Sequence, residues 1–214
     1  MTRSFSLVVQ RRVVMAVAAA ALLLTTSCGD AVRQGRSPSY LVIDKLQAAS
    51  GAKPEQLATF LESDVVTNVK VQTSEGTVLV PTVFEDSARV DLRIQLKDPT
   101  SLTGPTDLNS ITIDRYHVDY VRADGRNAQG VDVPYSFDGS VTGTVTPNGV
   151  TLFFVIVRAQ AKLEAPLKAL RGLGGAVAIA TLANVTFYGH DQAGNAVTVV
   201  GSISVNFADW GDPT

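Results

Sequence analysis

The sequence predicts an all-β protein, an antiparallel β-sandwich of seven to nine strands carrying one or two short helices. Three observations point there: period-two hydrophobic alternation recurs along the chain, turn-forming residues separate the alternating stretches, and the length suits a single domain. In Ser87 to Asp98, Val90, Leu92, Ile94 and Leu96 share one parity, while Arg89, Asp91, Arg93, Gln95 and Lys97 take the other. This strand has one dry and one wet face. In Ala196 to Phe207 the inward set is Val197, Val199, Ile203, Val205 and Phe207, with Gly201 among them; Thr198, Ser202, Ser204 and Asn206 face out.

The remaining elements follow in order. Leu41 to Leu46, Val66 to Val71 and Val78 to Phe84 are candidate strands. Pro54 to Leu61 places Leu57, Phe60 and Leu61 at helical spacing, with proline near the first turn, so a short helix is expected there. Tyr116, Val118 and Tyr120 alternate with Arg115, His117 and Asp119, but Ile111 and Ile113 have the opposite parity, which predicts a bulge near Asp114. Val131, Val133, Tyr135 and Phe137 read as a strand continuing to Val141 and Val145. Val150 to Val157 (VTLFFVIV) lacks alternation and reads as a central strand buried on both faces, with a sticky exposed strand as the alternative. Glu164 to Leu170 suits a helical turn or two beginning around Pro166, and Leu173 to Val185, too short to span a membrane, a glycine-led entry into a strand, with membrane contact as the alternative. Asp124-Gly125, Thr146-Pro147-Asn148-Gly149 and Asp191-Gln192-Ala193-Gly194-Asn195 supply turns between strands. The stretch VTFYGHDQAGNAVTVVGSISV resembles the last hairpin of immunoglobulin-like and fibronectin type III-like modules, which implies an immunoglobulin-like sandwich.

The N-terminus carries a different message. Met1 to Arg12 holds Arg3, Arg11 and Arg12 and no acid, Val13 to Leu24 is uncharged, and small residues follow at Thr25, Thr26 and Ser27. That order is the basic, apolar and cleavage region of an export signal, and the apolar run is short of the about 20 residues needed to span a bilayer. Leu24-Thr25-Thr26-Ser27-Cys28 resembles the lipobox of bacterial lipoprotein precursors, although the family places leucine three positions before the cysteine, where this chain has Thr25. The resemblance implies cleavage before Cys28 and diacylglycerol attachment to its thiol, leaving a palmitate-type lipid anchor. With Gly29 next, it implies outer-membrane sorting in a host with two membranes. Ordinary secretion, with the cysteine discarded or left free, is the alternative.

These readings divide the chain into a signal peptide (1–27), a lipid-anchored flexible linker (28–39) and one β-sandwich domain (40–214). The linker, rich in Gly, Ser and Arg, has no apolar period. Removing 1–27 changes the balance from 18 bases and 20 acids to 15 and 20, a net charge near −5. Such a surface disfavours nucleic acid and anionic headgroups. With the sole cysteine acylated, stability must come from burial.

Chemistry is sparsely signalled. The chain has two histidines, His117 and His190, with no G-x-S-x-G beside them, so catalysis is not expected. Calcium is the sharper site hypothesis, from Asp124, Asn127 and Asp132, then Asp191 and Asn195, then Asp209 and Asp212, because calcium takes oxygen ligands from loops. The competing explanation is that Asp and Asn populate turns by bonding their own backbone. Among the aromatics Tyr116, Tyr120, Tyr135, Tyr188 and Trp210, most share core parity; Trp210, in FADWGDPT, is the weak ligand-binding candidate, with plugging the sandwich end as its simpler role. The sequence therefore predicts an envelope lipoprotein that binds or scaffolds, its partner an envelope protein or glycan. The alternatives are a carbohydrate-active or calcium-dependent enzyme or binding module, and a subunit of an envelope assembly using a free sheet edge.

Overall fold

The computed structural model describes residues 35–211, and among them ten strands dominate. In chain order they are β1 (Ser39–Ala49), β2 (Phe60–Asp64), β3 (Thr67–Thr73), β4 (Gly76–Thr82), β5 (Asp86–Leu96), β6 (Ile111–Val121), β7 (Phe137–Val145), β8 (Val150–Val157), β9 (Ile179–Asp191) and β10 (Ala196–Ala208). A short helix, α1 (Ala159–Leu163), and 3₁₀ turns at Asp107–Asn109 and Leu167–Leu170 complete the elements.

Two sheets face each other, one in the order β1-β5-β8 and one in the order β2-β10-β9-β6-β7, while β3 and β4 pair only with each other. All pairs are antiparallel except β2 with β10, which run parallel. The expected sandwich is therefore present, with the alternation of β5 and β10 placing Val90, Leu92, Ile94, Val197, Ile203, Val205 and Phe207 in its core. The register of β6 shifts between Ile113 and Arg115 against both neighbours, which is the bulge the parity conflict predicts.

Aromatic rings fill the middle of the core. Tyr116 lies 4.9 Å from Phe154, and Phe154 meets Phe187 edge-to-face at 5.2 Å, bridging the two sheets. Gly139 of β7 lies under the Tyr116 ring, where a Cβ would collide with it. The two tyrosine hydroxyls also serve β8: Val155 N–H donates to Tyr116 Oη at 3.3 Å, and Tyr120 Oη donates to the Ile156 carbonyl at 2.5 Å.

Several expectations give way. Pro54 to Leu61 is a series of turns leading into β2, because Leu61 and Ser63 are drawn in beside β10 and tertiary pairing overrides a short helical pattern. The strand expected from Val131 begins only at Phe137; Val131 is 71% and Tyr135 52% exposed, in a loop closed by hydrogen bonds from Gly130, Asp132 and Val133. Val150 to Val157 is an edge strand of the three-stranded sheet, with Thr151 and Phe153 exposed, and the tyrosine hydroxyls substitute for a second neighbour. The strand after Leu173 starts at Ile179, and α1 occupies a stretch without a helical signal. The linker expected to reach Ser39 ends sooner, since Ser37 is buried and Ser39 already belongs to β1.

At one end of the sandwich a carboxylate is buried. Asp86, on the inward parity of β5, is fully inaccessible and receives Lys162 Nζ of α1 at 2.8 Å, Ser63 Oγ of β2 at 2.6 Å and Gly51 N–H at 2.8 Å. Burial pushes its pKa up, and Lys162, Ser63 and Gly51 pull against that shift. Lys162→Met removes the ammonium and strands the carboxylate, so it should cost about 3–5 kcal/mol near neutral pH, read from denaturant unfolding. The deficit should shrink as pH falls toward the raised pKa of Asp86, where a proton replaces the missing counter-charge. A deficit that stays constant with pH would argue against the ion pair as its source.

Candidate functional site

The strand directions fix two ends of the molecule. Ser37 hydrogen-bonds Asp191, and Lys97 N–H donates to Pro38 O at 2.9 Å, so the chain enters beside the β9–β10 turn. β10 runs away from that turn for 13 residues, about 40 Å of extended strand. At its far end Val65 N–H donates to Ala208 O, Trp210 N–H donates to Asp64 Oδ1 at 3.1 Å, and β3 and β4 spring from β2.

A cleft of about 350 Å³ opens at this far end, lined by Lys53, Gln56, Phe60, Glu62, Asp64 and Trp210 among others. Phe60 is 51% exposed. Trp210 is half-buried with its ring over Gly175, and its indole N–H is buried without an acceptor among the described residues. Asp64, half-buried, has its pKa raised by burial against hydrogen bonds from Thr67, Trp210 and Val66. The lining thus mixes two aromatic surfaces with charges of both signs, a composition suited to a neutral polar ligand. Phe60 escaped notice in the sequence because its stretch reads as helix; its exposure follows from the outward parity of β2.

The oxygen-rich loops are not brought together. Asp124, Asn127 and Asp132 sit in the β6–β7 loop at the far end, whereas Asp191 and Asn195 form the β9–β10 turn at the entry end. Asp124 is bound by Arg122 Nη2 at 2.6 Å and by Arg126 Nε at 3.1 Å, and Arg122 holds its carboxyl well below the usual range. Asn127 Oδ1 accepts Arg122 N–H at 2.6 Å, and Asp132 Oδ2 accepts Ala128 N–H at 3.2 Å. Asp209 Oδ2 accepts Gly172 N–H at 2.5 Å. Each of these oxygens closes a local turn or a neighbouring loop. Among the described residues no three His, Cys, Asp or Glu side chains gather as a metal site. Cys28 and Asp212 lie outside the described residues.

The histidines stand on the wet side. His117 Nδ1 lies 3.1 Å from Asp138 Oδ1, whose other neighbour is Arg115 at 3.6 Å, and Arg115 stacks 3.8 Å over the Tyr188 ring. His190 is exposed at the end of β9, opposite Ala196. Tyr116 and Tyr120 are buried as their parity requires, whereas Tyr135 is exposed. Comparison with family models, with curated proteins and with solved structures finds no match for this chain.

The turn at the entry end has a pH signature. Burial tends to raise the Asp191 pKa, but Asn195 Nδ2 at 2.9 Å, the N–H groups of Asn195 and Ala193 at 2.9 Å each, and Ser37 outweigh it, so the carboxyl sits below its ordinary value. A depressed carboxylate stabilises the fold above its unfolded pKa of about 3.9, and that contribution disappears as pH falls through the folded value. Asp191→Asn should therefore lower stability by about 1–2 kcal/mol at neutral pH. Thermal melts of the two proteins should converge in acid, as pH falls through the lowered folded value of Asp191.

Proposed function

We propose that this chain is a lipid-anchored envelope protein whose immunoglobulin-like sandwich binds or scaffolds, with no catalytic turnover. The observation that carries this reading is polarity: the chain enters at one end of the sandwich, while the cleft and the β3–β4 hairpin lie at the other. A domain tethered through Cys28 would present both features away from the bilayer. The strand order supports the immunoglobulin-like comparison, since β1, β5 and β8 take the A, B and E places and β10, β9, β6 and β7 the G, F, C and C′ places, with no strand in the D place. Two acyl chains suffice for stable anchoring. Cys28→Ala should move the protein from the detergent phase to the aqueous phase of a detergent partition, and mass spectrometry of the native N-terminus should find acylated Cys28. An unmodified thiol, or a mature chain starting beyond Cys28, would overturn the anchor.

A second reading draws on the cleft: Phe60 and Trp210 offer apolar faces beside hydrogen-bonding groups, as a saccharide needs. If glycan binds there, Phe60→Ala should abolish retention on immobilised envelope polysaccharide while leaving the thermal melt unchanged.

A further inference from the structure

The β3–β4 hairpin belongs to neither sheet. Its seven cross-strand pairs run from Thr67↔Thr82 to Thr73↔Gly76, with Ser74-Glu75 as the two-residue turn. Its roots are fixed: Ser63 and Asp86, one before and one after it, are joined by a 2.6 Å hydrogen bond inside the buried cluster, and Thr67 Oγ1 donates to Asp64 at 2.7 Å. Beyond those roots it is exposed from Lys70 to Pro81.

Its two faces differ. The register sets Val69 opposite Val80 and Val71 opposite Val78, so these four valines share one face; Asn68, Lys70, Gln72, Thr77, Leu79 and Pro81 share the other. Val71, Val78 and Val80 are 41%, 47% and 41% exposed. A lone two-stranded hairpin is marginal in water, and a four-valine face gains stability only when a second layer covers it.

Three observations select that layer. The entry end is about 40 Å from the hairpin's roots, while the stretch from Cys28 to Ser39 extends to at most about 40 Å. On the anchored reading the chain's own tether therefore cannot fold back to cover the valines. The exposed part of the arm carries one base, Lys70, on the opposite face, and one acid, Glu75, in the turn, so its charge is balanced and does not repel an identical arm. Because tether and hairpin are at opposite ends, copies on one membrane carry their arms on its same side and within reach of one another, and a two-fold axis along the membrane normal brings like faces together.

We propose that the valine face of β3–β4 packs against the same face of a second copy anchored beside it. This rests on the anchored reading above. Four valines are far less than the roughly 800 Å² per partner of a stable soluble complex, so pairing depends on the high local concentration that a shared membrane supplies.

The test uses full-length protein in lipid vesicles. Val78→Cys is treated with a thiol crosslinker of about 10 Å reach, the spacing of packed sheets. Gln95→Cys, on the exposed face of β5, is the control. The expected result is a crosslinked homodimer from Val78→Cys and not from Gln95→Cys, reduced about tenfold or more when Val71→Lys is added, since a buried unpaired charge opposes the contact. Equal crosslinking at both positions, crosslinking to a different protein, or a protein that stays in the vesicles without crosslinking would overturn the proposal. The last outcome leaves the anchor intact. Failure of the anchor is read separately, as loss of vesicle association and of the acylated Cys28 mass.

Discussion

The architecture turns on one buried charge. Asp86 draws together four parts of the chain: its own strand β5, Ser63 of β2, the Gly51 turn that follows β1, and Lys162 of α1. Moving a carboxylate and an ammonium out of water costs several kcal/mol per ion before their attraction repays it. That cost is tolerable only with both oxygens hydrogen-bonded, which is why the site holds a serine hydroxyl and a backbone N–H as well as the lysine. The consequence is positional. A purely apolar contact would let β2, the Gly51 turn and α1 slide over one another, whereas three directional bonds to one carboxyl hold them to one arrangement.

That arrangement governs the far end of the sandwich. The segment between Ser63 and Asp86 leaves the body and returns to it within a single hydrogen-bonded cluster, so the β3–β4 hairpin departs from a rigid base. Beside it, Asp64 ties the first turn of the hairpin to the backbone after β10, and the same residues wall the cleft. The proposed display of the hairpin and of the cleft thus draws on the same scaffold. At the margin of the three-stranded sheet, Tyr116 and Tyr120 bring core rings and hydroxyls to β8, so one pair of side chains both fills the interior and satisfies backbone groups of an outer strand.

Much of this is legible in the sequence, and the failures have identifiable causes. Strands with one dry face, β5 and β10, declare themselves because alternation is a local property. The bulge at Asp114 is visible as a clash of parities for the same reason. β2 is hidden because its five residues are set by parallel pairing with a strand some 140 residues later, a contact with no local signature. The run VTLFFVIV looks central because the tyrosines that close it lie on β6 and leave no trace in its own composition. Asp86 carries a faint signal: extending the β5 parity backward places it among Ala88, Val90 and Leu92, an inward acid that demands a partner. Lys162 could not be named as that partner from sequence, since the helix holding it is five residues long. Of the loops that offer oxygen ligands, the antiparallel course of β9 puts the Asp124 loop and the Asp191 turn at opposite ends, a separation with no signature in the composition of either.

One feature of the topology bears on mechanics. β1 leads from the entry end straight toward the far end, and it is held to β5 by partners from Ser39↔Leu96 to Ala49↔Ser87. A pull between the start of β1 and the far end would run along the axis of β1, loading this ladder in shear, so that many bonds must yield together. The same ladder pulled crosswise would open one bond at a time, like a zip. The direction in which this chain threads its sandwich therefore makes it stiff to tension applied between its two ends.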